Sequence, residues 1–138
     1  MPSDINITTH ERFGRITAST GSKWEPKMGY SRAVRAGNFV AVTGTVGIKS
    51  DGTYSPSLVD QTRRSLEIIE AALTALGVSF KQVIRTRIFT TRLADWEQIA
   101  SVHGDIFGDI RPCTTLVGVS ELIDKEALIE IEVDAVVA

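Results

Sequence analysis

The sequence predicts an α+β domain in which a mixed β-sheet carries two helices packed on one face. Two long segments have apolar residues at helical spacing, and five shorter segments are rich in apolar and β-branched residues. These segments follow one another in the order β-β-α-β-α-β-β, which is typical of such a two-layer fold. The chain has 138 residues and is therefore predicted to form one domain, 1–138.

The N-terminal part of this domain, 1–28, is predicted to be an irregular arm with one short strand. Glycines, a proline and scattered polar residues interrupt it. Two strands are then expected between Ala33 and Val46. They are joined at a short turn around Gly37 and Asn38, residue types that tolerate positive φ. The second of these strands is almost wholly apolar, which indicates a central position in the sheet.

The first helix is predicted from about Leu58 to Leu76. Ser57 is a good N-cap, and Asp60 lies at the third helical position. Gly77 is suited to the left-handed residue that ends many helices. The side of this helix that is predicted to face the sheet carries apolar residues at helical spacing, namely Leu66, Ile69, Leu73 and Leu76.

A strand is predicted over 83–91, a second helix from Trp96 to about Phe107, and two final strands over about 114–120 and 127–137. Asp95 is the expected cap of the second helix. The last strand alternates between apolar and acidic residues, so its odd-numbered positions should face the helices. Its acidic residues then project from the opposite, outer face of the sheet: Glu130, Glu132 and Asp134.

The outer face is predicted to mix charged and apolar residues. Arg85, Arg87, Phe89 and Val83 are expected there from the strand over 83–91, together with Val136 and either Val40 or Val42. An apolar patch of this kind would be exposed in a monomer. The sequence therefore predicts that this face packs against other copies of the chain.

Composition and charge exclude several classes of function. The net charge of −2 argues against a nucleic-acid partner, because phosphate binding needs a basic surface. No apolar run reaches the roughly 20 residues that span a bilayer, and the first residues lack the apolar segment of a signal peptide. A single cysteine, Cys113, suits a reducing compartment, so a cytoplasmic location is expected. His10, His103 and Cys113 are too dispersed to predict a metal site.

The order and spacing of several short segments resemble the Rid family of reactive intermediate deaminases, also called YjgF-type proteins. The resemblance covers about 29–138. It implies a chorismate-mutase-like fold, a homotrimer, and small-molecule sites in the clefts between subunits. It also implies hydrolysis of an enamine or imine without a cofactor. The segments that carry it are Gly29-Tyr30, Gly37-Asn38, Val42-Thr43-Gly44, Gln61 through Leu76, Arg85-Thr86-Arg87-Ile88-Phe89, Arg111-Pro112 and Ile129-Glu130-Ile131-Glu132.

The resemblance also implies roles for particular residues. The tyrosine and the glycine that line the pocket fall on Tyr30 and Gly44, and an aromatic wall falls on Phe89. The acidic residue that orients or activates water falls on Glu130, with Glu132 as the alternative.

One position departs from the pattern of the deaminating members. Their arginine, which holds a substrate carboxylate as a bidentate pair, falls on Thr114 in this chain. Arg111 lies three residues away, about 10 Å along an extended chain, and cannot simply take its place. Arg111 is nevertheless a candidate for binding an anion at the cleft.

Each of these residues also has a structural interpretation. Glu130 and Glu132 can pair with Arg85 and Arg87 across the seam between subunits, and Tyr30 can be an interface residue. Arg111 can cap the second helix, and Thr114 can be an ordinary strand residue. Two functions therefore stay open: an enamine or imine hydrolase with an altered substrate, and a protein that binds a small metabolite without turnover. A ribonuclease, as reported for relatives, gains no support from the charge.

Overall fold

A computed structural model describes residues 2–138 as one seven-stranded sheet with helices packed on one face. The strand order is β1-β2-β3-β4-β7-β5-β6, and all neighbours are antiparallel except β5 and β6. The strands are β1 (Thr8–Arg12), β2 (Arg15–Ser19), β3 (Ala33–Ala36), β4 (Phe39–Val46), β5 (Val83–Thr90), β6 (Cys113–Gly118) and β7 (Ile129–Val136). The helices are α1 (Trp24–Met28), α2 (Leu58–Ala75) and α3 (Trp96–Phe107).

The prediction of an irregular N-terminal arm over 1–28 was wrong for the residues that the structure describes. β1 and β2 form a hairpin, β2 extends the sheet beside β3, and α1 follows. The hairpin turns at Phe13 and Gly14, which both have positive φ. Every residue of β1 is exposed, so the strand carries no apolar alternation that sequence patterning could detect.

The two long helices were predicted closely, but one cap was wrong. The Ser57 hydroxyl accepts a hydrogen bond from the Asp60 N–H, and Gly77 is left-handed with φ of 76°. Asp95 makes no side-chain cap to α3 and lies 3.5 Å from Arg92 instead. The reason is that 93–95 form a 3₁₀ turn leading directly into α3, so Asp95 lacks the extended backbone of an N-cap.

The core lies between the inner face of the sheet and the helices α2 and α3. As predicted, the odd-numbered residues of β7 face this core and are fully buried. The largest buried side chains come from both helices and from the central strands, among them Leu66, Ile69, Leu73, Ile88, Ile99, Ile129 and Ile131. The α+β architecture with helices on one face is therefore confirmed.

The outer face differs from the prediction at three valines. Pairing between β5 and β7 is irregular between Val83 and Arg85. This bulge turns Val83 into the core and leaves Ile84 48% exposed on the surface. Val40 and Val42 are also buried, because the register of β4 points them at the helices. The apolar residues exposed on this sheet include Phe39, Ile84, Val117 and Val136.

One arginine of the outer face forms ion pairs within the chain. Arg87 Nη1 lies 3.2 Å from Glu132 and 3.3 Å from Asp134, and all three side chains are partly exposed. Within 2–138, none of the helices is both long and apolar enough to cross a membrane.

Candidate functional site

The candidate site is built around a bulge in β4. Pairing between β4 and β7 shifts register between Val42 and Thr45, so the bulge contains Thr43 and Gly44. The Thr43 N–H donates to the Arg32 carbonyl, and its hydroxyl donates to the Ser31 carbonyl at 2.6 Å. The bulge is thereby tied to the segment between α1 and β3. Bulges of this kind often re-aim side chains beside functional sites.

Gly44 allows the Glu130 carboxylate to lie directly against β4. A Cβ atom at position 44 would come within 2.9 Å of the Glu130 carboxyl carbon and of its Oε2 atom. Any larger residue would therefore displace this carboxylate. The two site residues Gly44 and Glu130, predicted from distant parts of the sequence, are in contact in the structure.

The surroundings of Glu130 favour its protonated form. Burial raises the pKa of the Glu130 carboxyl, the nearby Arg32 guanidinium opposes this, and Glu132 adds a small further rise in pKa. Within 2–138, Glu130 has no ion pair, whereas Glu132 pairs with Arg87. A half-buried carboxyl with a raised pKa is suited to general acid–base chemistry. Of the two acids considered, Glu130 is the one that lines the cleft.

Tyr30 belongs to the same cleft and is held by a buried arginine. The Arg32 Nη2 group donates to the Tyr30 hydroxyl at 3.2 Å, and its guanidinium lies 5.5 Å from the tyrosine ring centre. Arg32 Nη1 donates to the Gly44 carbonyl at 2.9 Å. Sequence reasoning missed Arg32. The available signal was its position two residues after Tyr30 and just before a strand.

The cleft has a volume of about 610 Å³ and is closed on one side by two loops. One loop joins β4 to α2, the other joins β6 to β7, and the Tyr54 hydroxyl links them by donating to Asp124 Oδ2 at 2.6 Å. Burial and the carboxylates of Asp124, Glu126 and Glu130 raise the pKa of Tyr54 far above its usual value. Tyr54 thus stays protonated as a donor. No sequence pattern had singled it out.

Gln61 of α2 fixes the β6–β7 loop next to the cleft. Its side-chain amide is buried, donates to the Ser55 and Glu126 carbonyls, and accepts a hydrogen bond from the Leu128 N–H. Three bonds from one side chain hold the loop against the N-terminal turn of α2. The start of β7, and with it Glu130, is consequently placed by α2.

The other three predicted site residues do not line this cleft. Phe89 is nevertheless next to it, opposite Glu130 in the pairing of β5 with β7. The Thr114 hydroxyl is 2.8 Å from that of Thr86, on the helix side of the sheet. Arg111 has a positive φ of 62°, and its Nε donates to the Gly108 carbonyl at 2.7 Å, next to the C-terminus of α3. The helix-capping interpretation of Arg111 therefore matches its contacts.

His103 completes a chain of side-chain hydrogen bonds with the threonines. Its Nε2 lies 2.9 Å from the Thr86 hydroxyl, which in turn contacts Thr114. Burial lowers the pKa of His103, so its neutral form is favoured. Within the described part of the chain, no group of three or more His, Cys, Asp or Glu residues is arranged to hold a metal ion.

A protein-family model, related sequences and solved structures all match this chain. The protein-family model described as Endoribonuclease L-PSP matches residues 20–137. A crystal structure of Rv2704 from Mycobacterium tuberculosis, a member of the YjgF/YER057c/UK114 family, is similar with a TM-score of 0.83 and 43% identity. The match covers 89% of this chain and 99% of that one.

One further relative has a named activity, and another has been solved with a bound ligand. A 2-iminobutanoate/2-iminopropanoate deaminase from Dermatophagoides farinae is 30% identical over 105 residues, which is 75% of this chain and 81% of the relative. Escherichia coli TdcF, solved with bound serine, is 29% identical with a TM-score of 0.74, over 79% of this chain and 88% of TdcF. On the family match, the sequence identities and the shared fold, this chain belongs to the Endoribonuclease L-PSP family of YjgF-type, or Rid, proteins.

Proposed function

We propose that the protein binds a small imine or enamine in the cleft beside Gly44 and hydrolyses it with Glu130 as the general acid–base. The observation that carries this proposal is the Glu130 carboxyl, which is unpaired among residues 2–138, has a pKa raised by burial, and faces a cavity of about 610 Å³. The deaminase activity of the mite relative supports the same chemistry.

The chemistry requires one water molecule and one proton shuttle. Ionised Glu130 takes a proton from water as the oxygen bonds to the electrophilic carbon of the protonated imine, giving a carbinolamine. Glu130 then returns the proton to nitrogen and, as the C–N bond breaks, takes up the hydroxyl proton, so that a carbonyl product and ammonia form. Glu130 passes this last proton to ammonia, which leaves as ammonium. The Tyr30 hydroxyl accepts from Arg32, so its own proton is free to bind the substrate. A carboxyl with a raised pKa can serve in both protonation states.

The site is proposed to be completed by other subunits of a homotrimer. The exposed apolar residues of the sheet need a partner surface, and β6 is an edge strand with unpaired backbone groups. Phe89, Thr114 and Arg111, which lie outside the cleft of their own subunit, are proposed to border the cleft of a neighbour. The single cysteine favours a reducing compartment, and we propose a cytoplasmic protein.

The proposal is tested by comparing Glu130→Gln with Glu132→Gln. The substrate is an imine without a carboxylate, produced from a simple primary amine by an amine oxidase, and ammonia release is followed. Loss of the general acid–base should lower the rate about 100-fold or more. Glu132→Gln, which alters only the ion pair with Arg87, should change it a few-fold at most. Equal losses in both variants would contradict the proposal.

A second candidate is a metabolite-binding protein that uses the same cleft without turnover. Thr114 in place of the arginine favours it, as does TdcF, which binds serine in its crystal structure. Calorimetric titration with small amines and amino acids would identify it by binding without ammonia release. Cleavage of RNA by the wild-type protein, lost in Glu130→Gln, would instead support the activity in the family's name.

A further inference from the structure

Among the residues that line the cleft, Arg32 is the most buried cation. Its side chain is 8% exposed, and it lies in the segment that leads from α1 into β3. A buried guanidinium is costly unless each of its N–H groups has a partner. The contacts of Arg32 therefore indicate what the protein uses it for.

The guanidinium makes three hydrogen bonds to protein groups and faces one buried carboxylate. Nη1 donates to the Gly44 carbonyl at 2.9 Å and to the Thr45 hydroxyl at 3.3 Å. Nη2 donates to the Tyr30 hydroxyl at 3.2 Å, and Nε lies 3.8 Å from Glu25. Each partner belongs to the site or adjoins it.

We propose that Arg32 is a positioning residue of the cleft, which orients the Tyr30 hydroxyl and holds Gly44 against the Glu130 carboxylate. This inference rests on the proposed function for its catalytic meaning. The positions of these residues can be tested without turnover. Arg32 donates to the Gly44 carbonyl, and Gly44 lies against the Glu130 carboxylate of the same chain.

The first effect concerns Tyr30. A phenol has one proton and accepts through its oxygen lone pairs. Since Arg32 has no acceptor, the Tyr30 oxygen must be the acceptor in their hydrogen bond. The Tyr30 proton consequently points away from Arg32, towards the space that Tyr30 lines. Replacing Arg32 would leave the hydroxyl free to rotate.

The second effect concerns Glu130. The nearby positive charge of Arg32 opposes the effect of burial and favours a lower pKa of the Glu130 carboxyl. The acids that face this region are Glu132 on β7 and Asp124 and Glu126 on the β6–β7 loop, with Tyr54 between the loops. Lys23, Lys49 and Lys125 also line the cleft. Arg32 differs from these lysines because buried partners fix its position.

Glu25 of α1 helps to hold the Arg32 guanidinium in place. Its buried carboxylate accepts hydrogen bonds from the Thr20 hydroxyl at 3.0 Å and from the Thr20 N–H at 3.4 Å, and it faces Arg32 Nε. The short helix α1, absent from the sequence-based prediction, thereby anchors the cation. The N-terminal segment thus contributes to the cleft through Arg32.

The test is a titration of the Glu130 carboxyl by carbon-13 NMR, with the signal assigned by its absence from Glu130→Gln. In Arg32→Gln the pKa of Glu130 should rise above its wild-type value, because the opposing charge of Arg32 is gone. Arg32→Lys should restore most of this pKa without restoring the fork of hydrogen bonds. Arg35→Gln is the matched control, since Arg35 bonds the Gly37 and Leu76 carbonyls instead.

A folded Arg32→Gln protein with an unchanged pKa at Glu130 would overturn the inference. If Arg32→Gln does not fold, Glu25→Gln with Arg32→Gln removes both buried charges together and permits the same titration. The pKa measurement needs no substrate. The wild-type protein could fail to hydrolyse imines while the pKa of Glu130 still changes in Arg32→Gln. That result would contradict the proposed function and leave this inference standing.

In an active protein, kinetics give a second readout. Arg32→Lys should lower kcat with little change in the pH dependence, because the charge is kept while the Tyr30 hydroxyl is released. Arg32→Gln should lower kcat and also move the acidic limb of the pH profile upward. A change in KM alone, with kcat and the pH profile as in the wild type, would indicate a simple binding role and would overturn the inference.

Discussion

Glu130 and Glu132 lie two residues apart on the same face of β7, but their surroundings differ. Glu132 is paired with Arg87 on the neighbouring strand, whereas Glu130 lies against Gly44 at the bulge of β4. Burial without an ion pair raises the pKa of Glu130. The difference between a candidate catalytic acid and a structural one is thus produced by one bulge and one glycine.

Thr114 leads to a prediction about substrate choice. An arginine in its place would offer a substrate carboxylate charge-assisted hydrogen bonds, which contribute roughly 1.5–3 kcal/mol each. The wild-type protein should therefore hydrolyse imines of ordinary amino acids about 100-fold less well than Thr114→Arg. The imine is generated with an amino-acid oxidase, and its hydrolysis is followed for both proteins.

The control for this comparison is Thr115→Arg, which places the same charge at the next exposed position of β6. Strong activity of the wild type on amino-acid imines would show that another group holds the carboxylate, with Arg111 and Arg87 the first to replace. No gain in a folded, trimeric Thr114→Arg protein would favour the metabolite-binding function.

His103 leads to a prediction about stability and pH. Burial lowers its pKa below 6.5, so the unfolded chain takes up a proton first as the pH falls. The contribution of His103 to stability is present above 6.5 and is lost as the pH falls through the lowered pKa. Urea unfolding on either side of 6.5 should show this loss in the wild type and a smaller loss in His103→Gln. His10→Gln, at an exposed position of β1, should behave as the wild type does.

At the scale of elements, β4 and α2 approach each other closely near the cleft. A Cβ atom at Gly47 would lie 2.7 Å from the Gln61 Cα, and backbone cannot move aside as a flexible side chain can. The Gln61 side chain also binds the loop that precedes β7. The close approach thus contributes to the placement of Glu130.

Gly47→Ala should therefore destabilise the fold by about 1–3 kcal/mol through overpacking. Gly104→Ala, within α3, meets no atom within 4 Å and is the matched control. It should be neutral or stabilising by up to about 1 kcal/mol, since alanine is the better helix former. Urea denaturation of both variants measures the difference, and equal stabilities would show that β4 and α2 can separate without cost.

At the scale of the whole molecule, the exposed side chains of the sheet indicate assembly. Phe39 of β4 is 46% exposed, Ile84 of β5 is 48% exposed and Val136 of β7 is 38% exposed. Multi-angle light scattering should give the mass of a trimer at micromolar concentration. Replacing Ile84 by Glu should weaken the assembly, whereas Trp96→Glu, at the exposed start of α3 in the helix layer, should not. A stable monomeric wild type would contradict both the trimer and a site between subunits.

Patterns of residue types were sufficient to predict the order of the central elements and the side of each long segment that faces the core. Helical spacing in α2 and strict alternation in β7 leave only one way to bury their apolar residues. The order of short segments also identified the family. Tyr30, Gly44 and Glu130 could be proposed as site residues because they stand where that order places them.

The remaining features depend on backbone pairing and on side-chain contacts that patterns of residue types do not record. The bulge in β5, which turns Val83 inward, is visible only in the pairing with β7. The β1–β2 hairpin has no apolar pattern, so only its hydrogen bonds reveal it. Arg32 became a candidate because Glu25, Tyr30 and Gly44 converge on one guanidinium, and the spacing of residue types in the sequence does not show such a convergence.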